Sequence, residues 1–480
     1  MRQKELLHQA DLKVKEAAAE VKDTYRLHYH LMPQANWMND PNGLVYFQGY
    51  YHVFYQHHPF SPQWGPMHWG HALTRDFLTW EHLPIALTPS EQYDLDGCFS
   101  GSAVVEDGAL NVFYTGVRKV GGELRQVQCR AVSFDGIHFV KDPRNPLIST
   151  YPPEGSADFR DPKVWKHADE WYMAVGSGKD GRGRVLLYRS RDLCQWHYMG
   201  VALESDGTQG SIWECPDLFP LGDKHVLVVS PMGTDPRRVI YFVGEMDYEV
   251  GRFCPESAGV LDQGPDFYAP QTFFGTDRRL MLAWMQAWES EIPTQQDGWA
   301  GALTLPRELL LDSAGRLVVR PVAELEKLRE RLVFAGKLVV ESGAQSLPGF
   351  DLQAGGLEAA LSVDLAQGAA GEFGIRFRDA QSGEWIAVGV RDHGRELFLD
   401  TTGASWGNEG VFCSRLDAPQ EKLEIRIFLD RSSIEVFCDG AASITARIYP
   451  SSFQLVPELF AAGGMLQVRN LEVWNIGVGS

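Results

Sequence analysis

The chain is short of positive charge: 44 lysines and arginines stand against 63 aspartates and glutamates, for a formal net charge of −19. That deficit argues against nucleic acid and anionic membrane surfaces as partners. Apolar runs of membrane-spanning length are missing, and the first residues lack the apolar core of a secretory signal, so no membrane association and a cytoplasmic location are expected. Cysteine is scarce as well. Seven residues, an odd number without metal-ligand spacing, make no disulfide framework and suit a reducing compartment. Helical periodicity is concentrated at the start, where Leu6, Leu7, Ala10, Val14, Ala17, Ala18 and Val21 predict a surface helix within 1–25, packed on the body or on another subunit.

What is there instead is a repeat. Five stretches, opening at Asp40, Ser100, Asp161, Glu214 and Ala269, each run from a start residue into two aromatic or aliphatic strands joined by a short turn, and they begin 53 to 61 residues apart. A second marker keeps the same phase: Thr74-Arg75-Asp76 before Trp80, Ser133-Phe134-Asp135 before Phe139, and Ser190-Arg191-Asp192 before Trp196. It reads as a tight turn in which Asp bonds its own backbone. Four short strands in each of five repeats predict an all-β five-bladed propeller over 26–312. In such a blade the innermost strand begins at one mouth of the channel, and the connection between strands two and three returns there. Gln56 to Trp69, Arg118 to Arg125 and Gly178 to Arg184 are therefore expected around the rim. After Arg307 the period is lost. Pro321 to Arg331 reads as a short helix within a linker over 313–335, and alternating strands such as Leu423 to Leu429, Ile434 to Cys438 and Ala442 to Ile448 predict a β-sandwich over 336–480.

Three acidic motifs, Trp37 to Gly43 (WMNDPNG), Phe159 to Pro162 (FRDP) and Glu214 to Asp217 (ECPD), stand in phase on the repeat, which brings three carboxylates to one mouth. Asp40-Pro41-Asn42-Gly43 and Asp161-Pro162 also fit turns by residue type. Glu214 is a poor turn former at the head of an apolar strand, and turns alone do not explain three acids in phase. Two carboxyls flanking a glycosidic bond are the minimum apparatus of most glycosidases: one attacks or activates water and the other protonates the leaving oxygen. Trp37, Trp64, Trp69, Trp213, Trp284 and Trp299 are candidate sugar-stacking rings. A non-catalytic sugar-binding propeller is the competing class, but it has no need of an attacking Asp and a proton-donating Glu. His28/His30 and His57/His58 invite a zinc reading; without partners at ligand spacing they read as pocket or packing residues, and no metal or cofactor is expected. Cys215 reads as a small buried residue, not a nucleophile.

These motifs, with Phe99 to Ser102 (FSGS), Gly298 to Gly301 (GWAG), Thr304 to Arg307 (TLPR) and Asp430 to Glu435 (DRSSIE), resemble glycoside hydrolase family 32, the invertases and fructosidases, over nearly the whole chain from about residue 25. The resemblance implies a propeller plus sandwich and a retaining mechanism. In it Asp40 is the nucleophile, Glu214 the acid and base, and Asp161 the transition-state stabiliser beside Arg160. Asn39, Gln56, Trp64, Phe99 and Ser100 match fructose-pocket positions. Retention implies carboxyls roughly 5 to 5.5 Å apart, with Asp40 holding the proton on Glu214 and a bell-shaped pH profile peaking in the mildly acidic to neutral range. The expected substrate is sucrose, sucrose 6-phosphate or a short fructo-oligosaccharide, with exo-acting fructan hydrolysis and fructosyl transfer as alternatives. Lys179 to Arg184, with Arg118, Lys119 and Arg125, is the expected phosphate grip. The assembly is read as a monomer or homodimer.

Overall fold

The computed structural model describes residues 2–477 apart from 237, 287, 289–290, 367, 369, 380, 405–406 and 417–420. Five sheets follow one another along the chain. Their first strands are Asn36–Phe47, Gly97–Glu106, Phe159–His167, Ile212–Leu221 and Tyr268–Thr272. Each of these packs against the next, and the last against the first, so the five sheets close into a ring around a channel. The ring is sealed by backbone: Asn36 and Trp37 pair with Trp299 and Ala300, and Val45 bridges Phe274. Middle strands such as Glu170–Lys179 are buried on both sides, because a blade is sandwiched between its neighbours, and this is why they read as unbroken apolar runs rather than alternating ones.

The turn marker forms as expected. Asp76 Oδ1 accepts the N–H groups of Leu78 and Thr79, Asp135 those of Ile137 and His138, and Asp192 those of Cys194 and Gln195. Asp247 does the same in the fourth blade for Glu249 and Val250, without the preceding Ser or Thr that made the other three visible.

The fifth blade ends in Leu317–Pro321, inside the stretch expected as linker. Its hairpin turn, built on Asp312 accepting N–H bonds from Ala314 and Arg316, resembles a domain boundary in sequence. The helix expected over Pro321 to Arg331 is a 3₁₀ segment, Ala323–Leu328, and Arg329–Val340 already belongs to the sandwich. Two antiparallel sheets of six and seven strands then enclose their own apolar core. The helix Arg2–Ala18 lies along Glu81–Leu87, the outer strand of the first blade; Ala10 and Val14 pack on Ile85, and Asp11 Oδ1 accepts the Ile85 N–H at 2.9 Å. Helix and carboxylate together cover an edge that would otherwise offer free backbone groups.

Candidate active site

Every innermost strand is irregular where it enters the funnel. Register breaks fall between Met38 and Pro41, Phe99 and Gly101, Glu214 and Asp217, and Tyr268 and Gln271, with a matching break opposite Arg160 in the third blade. A bulge re-aims side chains, so two consecutive residues of one strand can both reach the channel. Asp161, Cys215 and Ala269 take left-handed backbone, with φ of 63°, 46° and 50°, and each is followed by proline. This corrects the phase read from sequence: Cys215, not Glu214, is the counterpart of Asp161. Glu214 stands one residue earlier, in line with Arg160 and Tyr268. The bulge still delivers it to the funnel. Asp40 to Gly43 lies within strand Asn36–Phe47, so the turn reading of that tetrapeptide does not hold.

A cavity of about 330 Å³ opens at this mouth. Asp40, Asp161 and Glu214 all line it, as do Asn39, Gln56, Trp64, Phe99, Ser100 and Arg160. Asp40 is fixed at both oxygens: Asn39 Nδ2 donates to Oδ1 at 3.1 Å and Ser100 Oγ to Oδ2 at 2.6 Å. The Trp37 indole donates to Asn39 Oδ1 at 2.6 Å, which sets the orientation of that amide. Asp161 Oδ2 accepts the Cys215 N–H at 2.8 Å, and the Cys215 thiol points at both Asp161 and Asp40, with Sγ 3.4 and 3.6 Å from their Oδ2 atoms. Arg160 reaches from the third blade to Glu214, Nε to Oε1 at 3.0 Å, and to Asp158 at 2.7 Å. Asp217, the last residue of the third motif, is spent on structure: it pairs with buried Lys163 at 3.0 Å.

Burial raises the pKa of Asp40; the Ser100 hydrogen bond opposes this, the charge of Glu214 adds to it, and the bonds from Asn39 and Cys215 oppose it again. Burial likewise raises Asp161, against the pull of Arg160 and with the repulsion of Glu214 and Asp40. Arg160 stays charged, since its three carboxylate neighbours outweigh its own burial. Three carboxyls share one buried guanidinium, and a surplus of like charge in low dielectric favours keeping a proton among them. Burial, followed by these same acids, pushes the Cys215 thiol well up, so it stays protonated and is a poor nucleophile.

The tryptophans divide. Trp64 is 50 % exposed at the mouth, edge-on to Phe99. Trp37 and Trp284 are buried behind the cavity, and Trp69, Trp213 and Trp299 are core residues. The ring that takes the expected place of Trp284 is Trp288, which lines the cavity and packs on both Trp37 and Trp284. Gln126, Asp158, Met67 and Met232 also line the cavity and carry no motif signal. Tyr268 does carry one. Tyr268-Ala269-Pro270 aligns with Arg160-Asp161-Pro162 once the repeats are registered on proline.

The N-terminal domain model of glycosyl hydrolases family 32 matches residues 30–321 and the C-terminal domain model matches 324–475. The chain belongs to glycoside hydrolase family 32. It is 40 % identical over 479 residues to a sucrose-6-phosphate hydrolase of Escherichia coli, covering 95 % of this chain and 96 % of that one. It is also 42 % identical to a raffinose invertase of Escherichia coli, covering 93 % and 94 %. Among solved structures, a family 32 β-fructofuranosidase of Bombyx mori superposes with a TM-score of 0.86 at 35 % identity, covering 98 % of both chains, and a variant of that enzyme has been solved in complex with sucrose. The family's fold, a five-bladed propeller followed by a β-sandwich, is the fold described above.

Proposed function

We propose that this family 32 β-fructofuranosidase cleaves a terminal β-fructofuranosyl bond with retention, acting on sucrose or sucrose 6-phosphate in the cytoplasm. The observation that carries this reading is the convergence of Asp40, Asp161 and Glu214 in one small cavity, with Asp40 and Glu214 each gripped at both oxygens. In the first step an Asp40 oxygen bonds to the anomeric carbon. The bond to the leaving sugar breaks with its electron pair going to the sugar oxygen, which takes the proton of Glu214. In the second step the Glu214 carboxylate removes a proton from water, the water oxygen bonds to the anomeric carbon, and Asp40 departs as a carboxylate. Asp161 and Arg160 grip the fructosyl hydroxyls as positive charge develops on the ring, and Trp64 walls the mouth.

The hairpin of the third blade gives no support to a phosphate grip. Arg182 and Arg184 both pair with Glu204, and the Lys179 ammonium donates to the Pro153 carbonyl. Arg118 and Arg125, paired across the second-blade hairpin, instead line a neighbouring cavity of about 810 Å³ that shares Leu124 and Gln126 with the catalytic one. A 6-phosphate on the leaving glucose is assigned to Arg125, since Arg118 beside it is engaged by Gln92 at 2.8 and 3.1 Å. Release of glucose or glucose 6-phosphate, together with fructose, is measured from sucrose, sucrose 6-phosphate, 1-kestose and inulin, with Asp40→Asn as the blank. The expected result is release from the small sugars alone, with Arg125→Ala losing roughly tenfold in kcat/KM for the phosphorylated sugar only, the worth of one charged hydrogen bond. Equal loss on both sugars overturns the phosphate assignment, and no release from any substrate overturns the catalytic reading.

A further inference from the structure

Glu214 is held from two different blades. Opposite the Arg160 bond to Oε1, the Tyr268 hydroxyl donates to Oε2 at 2.7 Å. Tyr268 is 2 % exposed and precedes left-handed Ala269 as Glu214 precedes Cys215. Its hydroxyl also has backbone acceptors in reach, the Ser230 carbonyl at 3.2 Å and that of Pro231 at 3.4 Å. A phenol has a single hydrogen, so it can serve the carboxylate or a carbonyl but not both. We propose that Tyr268 is a positioning residue that follows the protonation of Glu214, donating to the carboxylate and turning to the Ser230 carbonyl when Glu214 carries the proton. The proposal rests on the acid role of Glu214 given above.

The physical consequence is asymmetric. A donor that prefers the ionised form makes Glu214 a readier proton donor, because part of the product state of proton transfer is stabilised in advance. Having an alternative acceptor means that the neutral form does not leave a buried hydroxyl unpaired. Among the described residues, the other charged or titratable groups facing Glu214 are Arg160 and Asp161 from the third blade, Asp40 from the first and the adjacent Cys215 thiol, with Asp158 acting through Arg160. None of these is altered by Tyr268→Phe, which keeps the ring.

The test compares kcat/KM against pH for wild type and Tyr268→Phe on sucrose and on p-nitrophenyl β-fructofuranoside, whose leaving group needs little protonation. Both substrates are read on one preparation, so a misfolded fraction cancels from their ratio. The expected result is a loss of about 10- to 100-fold on sucrose, under about threefold on the nitrophenyl substrate, and an alkaline limb moved to higher pH. Equal losses on both substrates with an unmoved limb overturn the proposal. Glu214→Gln separates the two claims: it must lose sucrose cleavage while keeping most of the transfer of the fructosyl group from the nitrophenyl substrate to Asp40, read as the burst of nitrophenolate released. If it loses both alike, the acid reading itself fails.

Discussion

Ser100 illustrates how one hydroxyl tunes the carboxylate proposed as nucleophile. Burial pushes the Asp40 carboxyl up, and the 2.6 Å bond from Ser100 is the strongest influence pulling it back. Asp40 as the proposed nucleophile attacks only as the anion, so the acid limb of the rate profile is expected above the ordinary carboxylate value of about 3.9. Removing the hydroxyl moves that limb further up. Ser100→Ala is expected to lose kcat/KM by roughly tenfold or more at pH 5, from a lost charged hydrogen bond of about 1.5–3 kcal/mol, and by less as pH rises and the anionic fraction grows. Sucrose turnover across pH 4 to 8 gives the check; a loss of the same size throughout would mean that Ser100 serves the sugar alone. Cys215 belongs to the same scale. Its thiol lies between the Asp40 and Asp161 carboxylates, and nothing in the spelling of its motif distinguishes this from packing.

At the scale of the element, the bulges decide what the funnel contains, and they rely on glycine where neighbouring strands crowd. Gly176 pairs with Arg160 across the third-blade bulge, and a Cβ there would stand 2.4 Å from the Trp213 carbonyl and 3.4 Å from the Glu214 Cα. Gly176→Ala must push the third and fourth blades apart at the point where Arg160 meets Glu214. Overpacking of this kind costs about 1–3 kcal/mol, and a misplacement near 1 Å costs about a hundredfold in rate. A fall in kcat well beyond the change in KM, with a modest drop in Tm, is the expected outcome; unchanged kcat would show that the blades slide without disturbing the acid. The same bulges explain which parts were legible. Blade count, the Asp turns, the rim connections and the three acids follow from a period that survives in the spelling. The one-residue offset of Glu214 does not, because a bulge adds a residue without changing the apolar pattern. Trp284 reads as a rim residue for a related reason: it sits where a strand passes from rim to core, and only packing against Trp288 tells which ring lines the cavity. The hairpin ending the fifth blade was hidden by turn chemistry that hairpins and domain boundaries share.

At the scale of the whole molecule, the sandwich is locked to the propeller through buried charge. Arg307 donates to Asp262 at 2.8 Å and to Glu435 at 2.8 Å between the rings of Phe267 and Phe437. Glu435 also takes the Leu305 N–H and His30 Nε2, while His30 Nδ1 and His28 Nδ1 both meet Asp430. The histidine pair that invites a zinc reading is thus committed to carboxylates from the other domain. Burial works against a charged His30, but its bonds to Asp430 and Glu435 prevail and raise its pKa. Burial also works against ionised Asp430, and the bonds from His28 and His30 overcome it and hold that carboxyl low. The clamp from His30 is therefore complete below the unfolded histidine value of about 6.5 and fades as pH rises through the raised folded value. The contribution of Asp430 is complete above about 3.9 and fades as pH falls toward its lowered value. In the first blade, burial depresses His52, His57, His68, His71 and His82, so the propeller loses stability as pH falls below about 6.5 and the unfolded chain takes up their protons. Alkali thus weakens the domain interface, whereas acid weakens the propeller. Calorimetric unfolding from pH 5 to 9 of wild type against His30→Gln isolates the clamp, because the five neutral histidines cancel in the difference. The variant is expected to be less stable by about 1.5–3 kcal/mol at pH 6, the worth of a hydrogen bond to a charged group, since His28 still meets Asp430 and Arg307 still meets Glu435, with the gap narrowing steadily toward pH 9. A gap that stays constant across that range would mean the imidazole is neutral in the fold and adds no charge to the clamp.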